Sequence, residues 1–284
     1  MTNAQSHGRF FPLDEEGYIV NDTSSDHVSK SLRDLILEAF REQVSDPDAL
    51  KAVYVRGSVA RGTFVSGVSD LDAFAVLDDH CSIPESDPNE TVVAKIREEL
   101  PGVTNLEWTY CHEHEVLGDY LGVWPFFIKT QSLNIWGVNY EDKLAPYRPG
   151  CEIMGEAMWL PNRREEYERR LVDPYWQGQK TFLCEWIMKA IVRAAFELTM
   201  EKQYCYTRDL ALCHKVFAEQ YPEKADECHQ AMVWAVSPNQ DVESHKKLMA
   251  SFCPWIAQHL ERILSANHID ASQYQLTPKG ELAQ

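Results

Sequence analysis

The 284-residue sequence lacks a long hydrophobic run and a closely spaced pair of cysteines. No apolar stretch approaches the roughly 18 residues that a membrane-spanning helix requires. We therefore expect neither a membrane span nor a signal peptide. The eight cysteines are scattered and none forms a C-x-x-C pair, which argues against a zinc ribbon or a disulfide framework. Reduced cysteines in a cytoplasmic protein are the expectation.

The sequence also lacks a basic stripe. Lys and Arg number 27 against 44 Asp and Glu, for a net charge of −17. The basic clusters are no longer than the pairs Arg163-Arg164 and Arg169-Arg170. Nucleic-acid binders usually carry a contiguous basic surface, so we expect no nucleic-acid partner. An acidic cleft would instead concentrate a small cationic substrate, although the same charge also serves solubility.

The first half of the chain mixes helical and strand patterns. Apolar residues at helical spacing predict helices, and short apolar or alternating runs bounded by turn residues predict strands. The predicted elements are a helix over Asp26–Val44, strands over Leu50–Arg56 and Leu71–Leu77, a helix over Glu90–Leu100 and a strand over Val103–Tyr110. This order indicates a small mixed α/β sheet.

The second half reads as helical from about Asn162. The predicted helices are Gln177–Lys202, Thr207–Gln220, Pro222–Val236 and Val242–Ala266. Three prolines, Pro146, Pro149 and Pro161, predict a connection between domains. We thus expect an arm over residues 1–25 with Phe10-Phe11 as its anchor, a mixed α/β domain over 26–150 and a helical bundle over 151–284. Residues 111–160 have no clear pattern.

The most informative segment runs from Tyr54 through a Gly57-Ser58 turn to Ser69-Asp70-Leu71-Asp72. Residues two apart on a strand point to the same face, so Asp70 and Asp72 would aim two carboxylates at one spot. Glycine lets a backbone approach a phosphate closely, and the Ser58 hydroxyl adds a donor. The combination predicts Mg²⁺-dependent chemistry on a nucleoside triphosphate.

A third carboxylate is expected from a neighbouring strand. Glu107 is the best candidate because it interrupts an otherwise apolar run, Leu106-Glu107-Trp108, and a charge there needs partners. The alternative is a solvent-facing glutamate on a sheet with one exposed face. Arg56, at the end of the first strand, is expected to point away from this site.

The Gly57-Ser58 turn, an eleven-residue gap and then Asp70-Leu71-Asp72 resemble the signature of the polymerase-β-type nucleotidyltransferase superfamily, and Ser69 fits the Ser-Asp-x-Asp form of that signature. The likeness covers residues 26–110. It implies an α/β (α+β) nucleotidyltransferase domain with a small mixed sheet, followed by an α-helical bundle domain. It also implies that Asp70 and Asp72 share two Mg²⁺ ions, which stabilise the attacking and leaving oxygens of an in-line displacement.

The same resemblance implies a role for Glu107, and the charge of Arg61 suggests another. In the antibiotic-modifying branch of the superfamily, a glutamate on the corresponding strand completes the metal site or activates the acceptor hydroxyl, a role that falls on Glu107. Arg61 would neutralise phosphate charge. The alternative for Arg61 is a surface pairing with an acid such as Asp70.

The helical half resembles the C-terminal domain of aminoglycoside adenylyltransferases. The likeness rests on Arg193 in one predicted helix and on Tyr206-Thr207-Arg208-Asp209, where the next helix starts. It implies that Arg193 and Arg208 contact the nucleotide's phosphates, with Lys189 as an alternative, and that Asp209 meets a substrate amine. Alternatively, Asp209 only favours a helix N-terminus, and Lys189 and Arg193 lie on a solvated face.

The run His112-Glu113-His114-Glu115 invites a metal-site interpretation. His112 and His114 would share a face on a strand, but no third ligand follows at a fixed spacing. We expect a polar loop where the chain leaves the sheet. The alternative is that His112 lines an acceptor pocket beside Glu107.

These features predict an enzyme that moves a nucleoside monophosphate from ATP or another NTP to a hydroxyl of a small molecule, with loss of pyrophosphate. Net charge and the resemblance of the helical half favour an aminoglycoside-like polycation as the acceptor. One alternative is nucleotidylylation of a protein side chain. Another is a catalytically silent nucleotide-binding regulatory module, in which the acidic triad would be broken.

Overall fold

The structure, a computed structural model, describes residues 8–84, 88–118 and 123–270. The first seven residues of the predicted arm and the end of the predicted bundle after residue 270 lie outside this range. The chain forms two compact units. The sheet unit spans Ile19–Tyr147, and the helical unit combines the described residues up to Tyr18 with those from Arg148 onward.

The sheet unit contains a small mixed sheet, as predicted from the sequence, and this sheet has four strands. The strands are β1 (Leu50–Arg56), β2 (Leu71–Leu77), β3 (Leu106–His112) and β4 (Ser132–Gly137), in the order β3-β2-β1-β4. Strand β1 is antiparallel to β2 and β4, whereas β2 is parallel to β3. The helices of the unit are α1 (Lys30–Gln43), α2 (Gly57–Ala60), α3 (Glu90–Glu99), α4 (Glu113–Leu117) and α5 (Val123–Gln131).

Strand β2 is buried along its whole length because both faces of the sheet are covered. Its odd-numbered residues join a core cluster with α1 and α3, of which Phe40 is a member. Phe74 and Val76 belong to a second cluster with Tyr54 and Trp124, on the face covered by α5. Asp72 has the same parity as Phe74 and therefore points to the α5 face of the sheet.

Several element boundaries differ from the predicted ones for local reasons. Helix α1 begins at Lys30, since the Ser29 hydroxyl accepts a hydrogen bond from the Leu32 N–H and caps it there. Strand β4 was not predicted, and it completes the sheet within the unassigned residues 111–160. Pro161 lies inside a helix, Gly155–Val172, and not in a connection between domains.

The helical unit is a bundle, as predicted. Its helices are α6 (Gly155–Val172), α7 (Lys180–Glu197), α8 (Met200–Gln203), α9 (Leu210–Gln220), α10 (Ala225–Val236) and α11 (Val242–Ala266). Helix α7 is the most buried, with eleven residues in the core. Among the helices of the described ranges, none combines the length and apolar character needed to cross a membrane.

The N-terminal residues 8–18 pack on this bundle. Phe11 is buried, donates its N–H to the Tyr206 carbonyl, and has its ring centroid 5.0 Å from that of Tyr206. Phe10 is 38% exposed. Of the predicted pair, Phe11 is therefore the anchor.

Candidate active site

Three carboxylates meet at one end of the sheet. Asp72 in β2 is paired with Glu107 in the parallel strand β3, so the two side chains share a face. Asp70 immediately precedes β2. Each of Asp70, Asp72 and Glu107 offers a carboxylate oxygen, and these oxygens all lie within 4.8 Å of one another. The structure thus brings together the three acids that the sequence singled out.

The Gly57-Ser58 turn borders this acidic cluster. Gly57 has φ +74°, and a Cβ at that position would lie 2.6 Å from Asp72 Oδ2. Only glycine therefore suits both the backbone angle and the close approach of the carboxylate. The hydroxyl of Ser58 is buried and has no hydrogen-bond partner in the described ranges. An orphaned donor costs stability unless a ligand satisfies it, which fits a turn that binds an anion.

Arg56 contradicts the sequence-based expectation that its side chain points away. In the antiparallel β1–β2 pairing Arg56 lies opposite Asp72, so both side chains lie on one face. The guanidinium Nη2 lies 2.8 Å from Asp72 Oδ1 and 3.5 Å from Glu107 Oε2. The sequence analysis did not place Arg56 at the site. Arg56 lies two positions after Tyr54 on the same strand, so both side chains point to the same face of the sheet.

Arg61 forms a buried ion pair with an acid other than the one considered from the sequence. Its Nε lies 2.6 Å from Asp22 Oδ1 and its Nη2 lies 3.0 Å from Asp22 Oδ2. Arg61 is only 7% exposed. The contact joins the segment after Ile19 to the end of α2.

Ser69 and His112 both make local structural contacts. The Ser69 hydroxyl accepts a hydrogen bond from the Val65 N–H and closes the loop before β2. His112 ends β3, and its Nε2 lies 2.8 Å from the Cys81 carbonyl oxygen. Five positions separate His112 from Glu107, about 16 Å along a strand and on the opposite face. The structure does not bring His112 to the acidic cluster, and the expected exit loop is the short helix α4.

The helical unit holds a separate group of charged side chains. Arg208 Nη2 lies 3.3 Å from Glu156 Oε1, and Arg163 Nη2 lies 3.2 Å from Glu156 Oε2. Arg193 is half-buried, and its Nε is enclosed with no hydrogen-bond partner among the residues described. Three guanidinium groups thus share a site with Glu156, and the site has the charge to attract an anion.

Burial and charge shift the pKa values of this group in different directions. Burial by itself raises the pKa of Glu156, but Arg163, Arg208 and Arg193 outweigh it and lower that pKa to about 2. Burial raises the pKa of Glu197 well above its usual value, and the nearby Glu156 adds to the effect. Burial lowers the pKa of Arg193, and so does the charge of Arg208.

Lys189 and Asp209 each make a contact within the helical unit. Lys189 Nζ lies 2.5 Å from Glu185 Oε1 one turn earlier on α7, with its side chain 31% exposed. Asp209 is the N-cap of α9, because its Oδ1 accepts a hydrogen bond from the Leu212 N–H. Its Oδ2 accepts another from the N–H of Gly8.

The acidic cluster has the donor set of a divalent-metal site. Carboxylate oxygens are the hard ligands that Mg²⁺ prefers. Three such oxygens within 4.8 Å of one another could hold a divalent ion, which would supply positive charge beside a phosphate. The side chain of Glu107 is 46% exposed, so a substrate can reach it. The residues present therefore fit a metal-dependent reaction at a phosphate.

The match to one family model agrees with this geometry. Residues 34–129 match the family model described as a nucleotidyltransferase domain. A search of curated proteins finds no match. Among solved structures, the spectinomycin adenyltransferase AAD(9) from Enterococcus faecialis, crystallised with ATP and spectinomycin, matches with a TM-score of 0.47 and 14% identity. That match covers 82% of this chain and 99% of the other.

The family match spans the Gly57-Ser58 turn and all three acids of the cluster. These are the residues on which the sequence resemblance to nucleotidyltransferases rests. The family match therefore confirms that resemblance. Residues 34–129 form a nucleotidyltransferase domain, which supports an enzyme of the nucleotidyltransferase class.

Proposed function

We propose that the chain transfers a nucleoside monophosphate from ATP, or another NTP, to a hydroxyl group of a small cationic molecule of the aminoglycoside type. The reaction depends on Mg²⁺. The observation that carries the proposal is the group formed by Asp70, Asp72 and Glu107, whose carboxylate oxygens lie within 4.8 Å of one another. The net charge of −17 favours a cationic acceptor, which such a field attracts.

Asp70 and Asp72 are the residues that would hold the metal, with Glu107 as a further ligand or as the base. When bound, Mg²⁺ supplies positive charge beside the reacting phosphate. The Ser58 hydroxyl donates a hydrogen bond to a phosphate oxygen, which would satisfy its orphaned Oγ. Gly57 leaves the space beside Asp72 open, since a Cβ there would lie 2.6 Å from Asp72 Oδ2.

The bond changes follow from this arrangement. The acceptor hydroxyl oxygen forms a bond to the α-phosphorus, and the bond between that phosphorus and the α–β bridging oxygen breaks. Pyrophosphate leaves with the bonding electron pair. The hydroxyl proton passes to Glu107, whose exposed side chain can reach an acceptor. Within the helical unit, Arg193 and Arg208 are proposed to bind phosphate, and Asp209 is proposed to bind an amine.

The experiment is a measurement of pyrophosphate release from each NTP with Mg²⁺, against a panel of aminoglycosides and other amino sugars. Asp72→Asn tests the site, and Asp142→Asn, at an exposed acid of the same unit, is the matched control. We expect release that requires an acceptor and Mg²⁺, persists in Asp142→Asn and is lost in Asp72→Asn. Release only with a protein acceptor would replace the small-molecule acceptor, and Mg·ATP binding without any release would support a silent module.

A further inference from the structure

Arg56 lies between two members of the acidic cluster. It is the last residue of β1 and is paired with Asp72, which is paired in turn with Glu107. Its Nη2 lies 2.8 Å from Asp72 Oδ1 and 3.5 Å from Glu107 Oε2, and its side chain is 16% exposed. One guanidinium thus contacts two of the three carboxylates that would hold a metal.

An aromatic ring holds the guanidinium in this position. The Arg56 Cζ lies 4.7 Å from the centroid of the Phe127 ring, on α5. Such a cation–π contact is favourable and restricts the arginine rotamer. The cation is therefore fixed beside the carboxylates and cannot be treated as a mobile surface charge.

We propose that Arg56 is a built-in counter-cation, which weakens the binding of free divalent metal and makes tight metal binding depend on the nucleotide. The proposal rests on the metal site of the proposed function. A fixed positive charge within contact distance of Asp72 repels an incoming divalent cation. It also occupies Asp72 Oδ1, one of the oxygens that a metal would need. A bound triphosphate brings negative charge that offsets both cations, so the penalty falls when the nucleotide is present.

The competing explanation is that Arg56 only orients Asp72. The two explanations predict opposite effects of removing the charge. If Arg56 only orients Asp72, its loss loosens the ligand and leaves metal affinity unchanged or lower. If Arg56 is a counter-cation, its loss raises the affinity for free metal and reduces the thermodynamic coupling between metal and nucleotide.

The test is a titration of the full chain with Mn²⁺, with and without a non-hydrolysable ATP analogue, read out by electron paramagnetic resonance of the free ion. For Arg56→Gln we expect about tenfold tighter Mn²⁺ binding without nucleotide, and a smaller change with it. Arg56→Lys keeps the charge and should remain near the wild type. Arg41→Gln is the matched control, because Arg41 also stacks on an aromatic ring, that of Trp136, in the same unit.

Unchanged or weaker Mn²⁺ binding by Arg56→Gln, with wild-type binding intact in the presence of the analogue, would overturn this inference alone. Failure of the wild type to bind Mn²⁺ even with the analogue would overturn the metal site and the inference together. If Arg56→Gln does not fold, Phe127→Leu decides the question. It releases the guanidinium without removing it, and we expect about threefold tighter binding of free Mn²⁺, whereas no gain would count against the proposal.

Discussion

Asp72 and Glu107 occupy paired positions in the parallel strands β2 and β3, although 34 residues separate them in the sequence. Paired residues of neighbouring strands project to the same face, so this register alone gives the third acid its place. For Glu107→Gln we expect a fall in kcat of at least about 100-fold, since a general base or metal ligand is lost. Steady-state kinetics would measure it, with the exposed Glu98→Gln as control. Activity within a few-fold of the wild type would exclude Glu107 from the reaction.

The Arg61–Asp22 pair predicts a stability effect. Both partners are largely buried, and the contact is bidentate. Removing one partner takes a bidentate counter-ion away from a largely buried charge, so Arg61→Met and Asp22→Asn should each lower the free energy of unfolding by about 3 kcal/mol. Because the two losses have one cause, the double variant should lose little more than either single one. Urea denaturation measures the three losses of unfolding free energy. A loss in the double variant equal to the sum of the two single losses would show that the Arg61–Asp22 pair does not cause them.

The lowered pKa of Glu156 predicts that its contribution to the free energy of unfolding depends on pH. Its pKa is lowered to about 2, since Arg163, Arg208 and Arg193 outweigh the effect of burial. The folded pKa lies below the unfolded value, so the stabilisation is present above about pH 4.5 and is lost as the pH falls. Glu156→Gln should cost about 3 kcal/mol at neutral pH, and this difference should shrink towards pH 3.

Urea midpoints measured across this range provide the check on Glu156. The exposed Glu165 on α6 supplies the matched variant Glu165→Gln, which should stay close to the wild type at every pH. A cost for Glu156→Gln that does not change with pH would mean that packing, and not the carboxylate charge, is responsible.

The raised pKa of Glu197 predicts a loss of stability as the pH rises, which is opposite to the trend for Glu156. Burial raises its pKa well above the usual value, and Glu156 adds to the shift. Its folded pKa exceeds the unfolded one, so the folded state holds the proton longer, and stability declines as the pH rises. The neutral analogue Glu197→Gln should therefore be more stable than the wild type at pH 8 and should lose less stability between pH 5 and pH 8. Parallel stability curves for the two proteins, by thermal or urea unfolding, would contradict this assignment.

Local patterns predicted the elements that carry the acids. Asp70 and Asp72 flank the first residue of an apolar strand, and Glu107 interrupts another, so periodicity indicated all three positions. The Glu107 side chain is 46% exposed, so the cost of a buried charge does not apply to it. The contact of Arg56 with Asp72 was not predicted, because it depends on the β1–β2 register and not on the spacing within either strand.

Other elements are set by tertiary contacts that a linear pattern does not contain. Strand β4 includes the polar residue Asn134 and gains its place by pairing with β1. Pro161 lies inside α6, where sequence rules favour a break. The Asp209 carboxylate both caps α9 and accepts from Gly8, a partner 201 positions away. Long-range partners decide the first and the third of these features.

The measurement that tests the central claim most directly follows ATP labelled at the α-phosphate and, in parallel, ATP labelled at the γ-phosphate, in a reaction with Mg²⁺ and an active acceptor. The account predicts that the α label appears on the acceptor and the γ label in pyrophosphate, in equal amounts. Both signals should vanish in Asp70→Asn and Asp72→Asn while these proteins remain folded. Transfer of the γ label to the acceptor, or undiminished transfer of the α label by either variant, would contradict it.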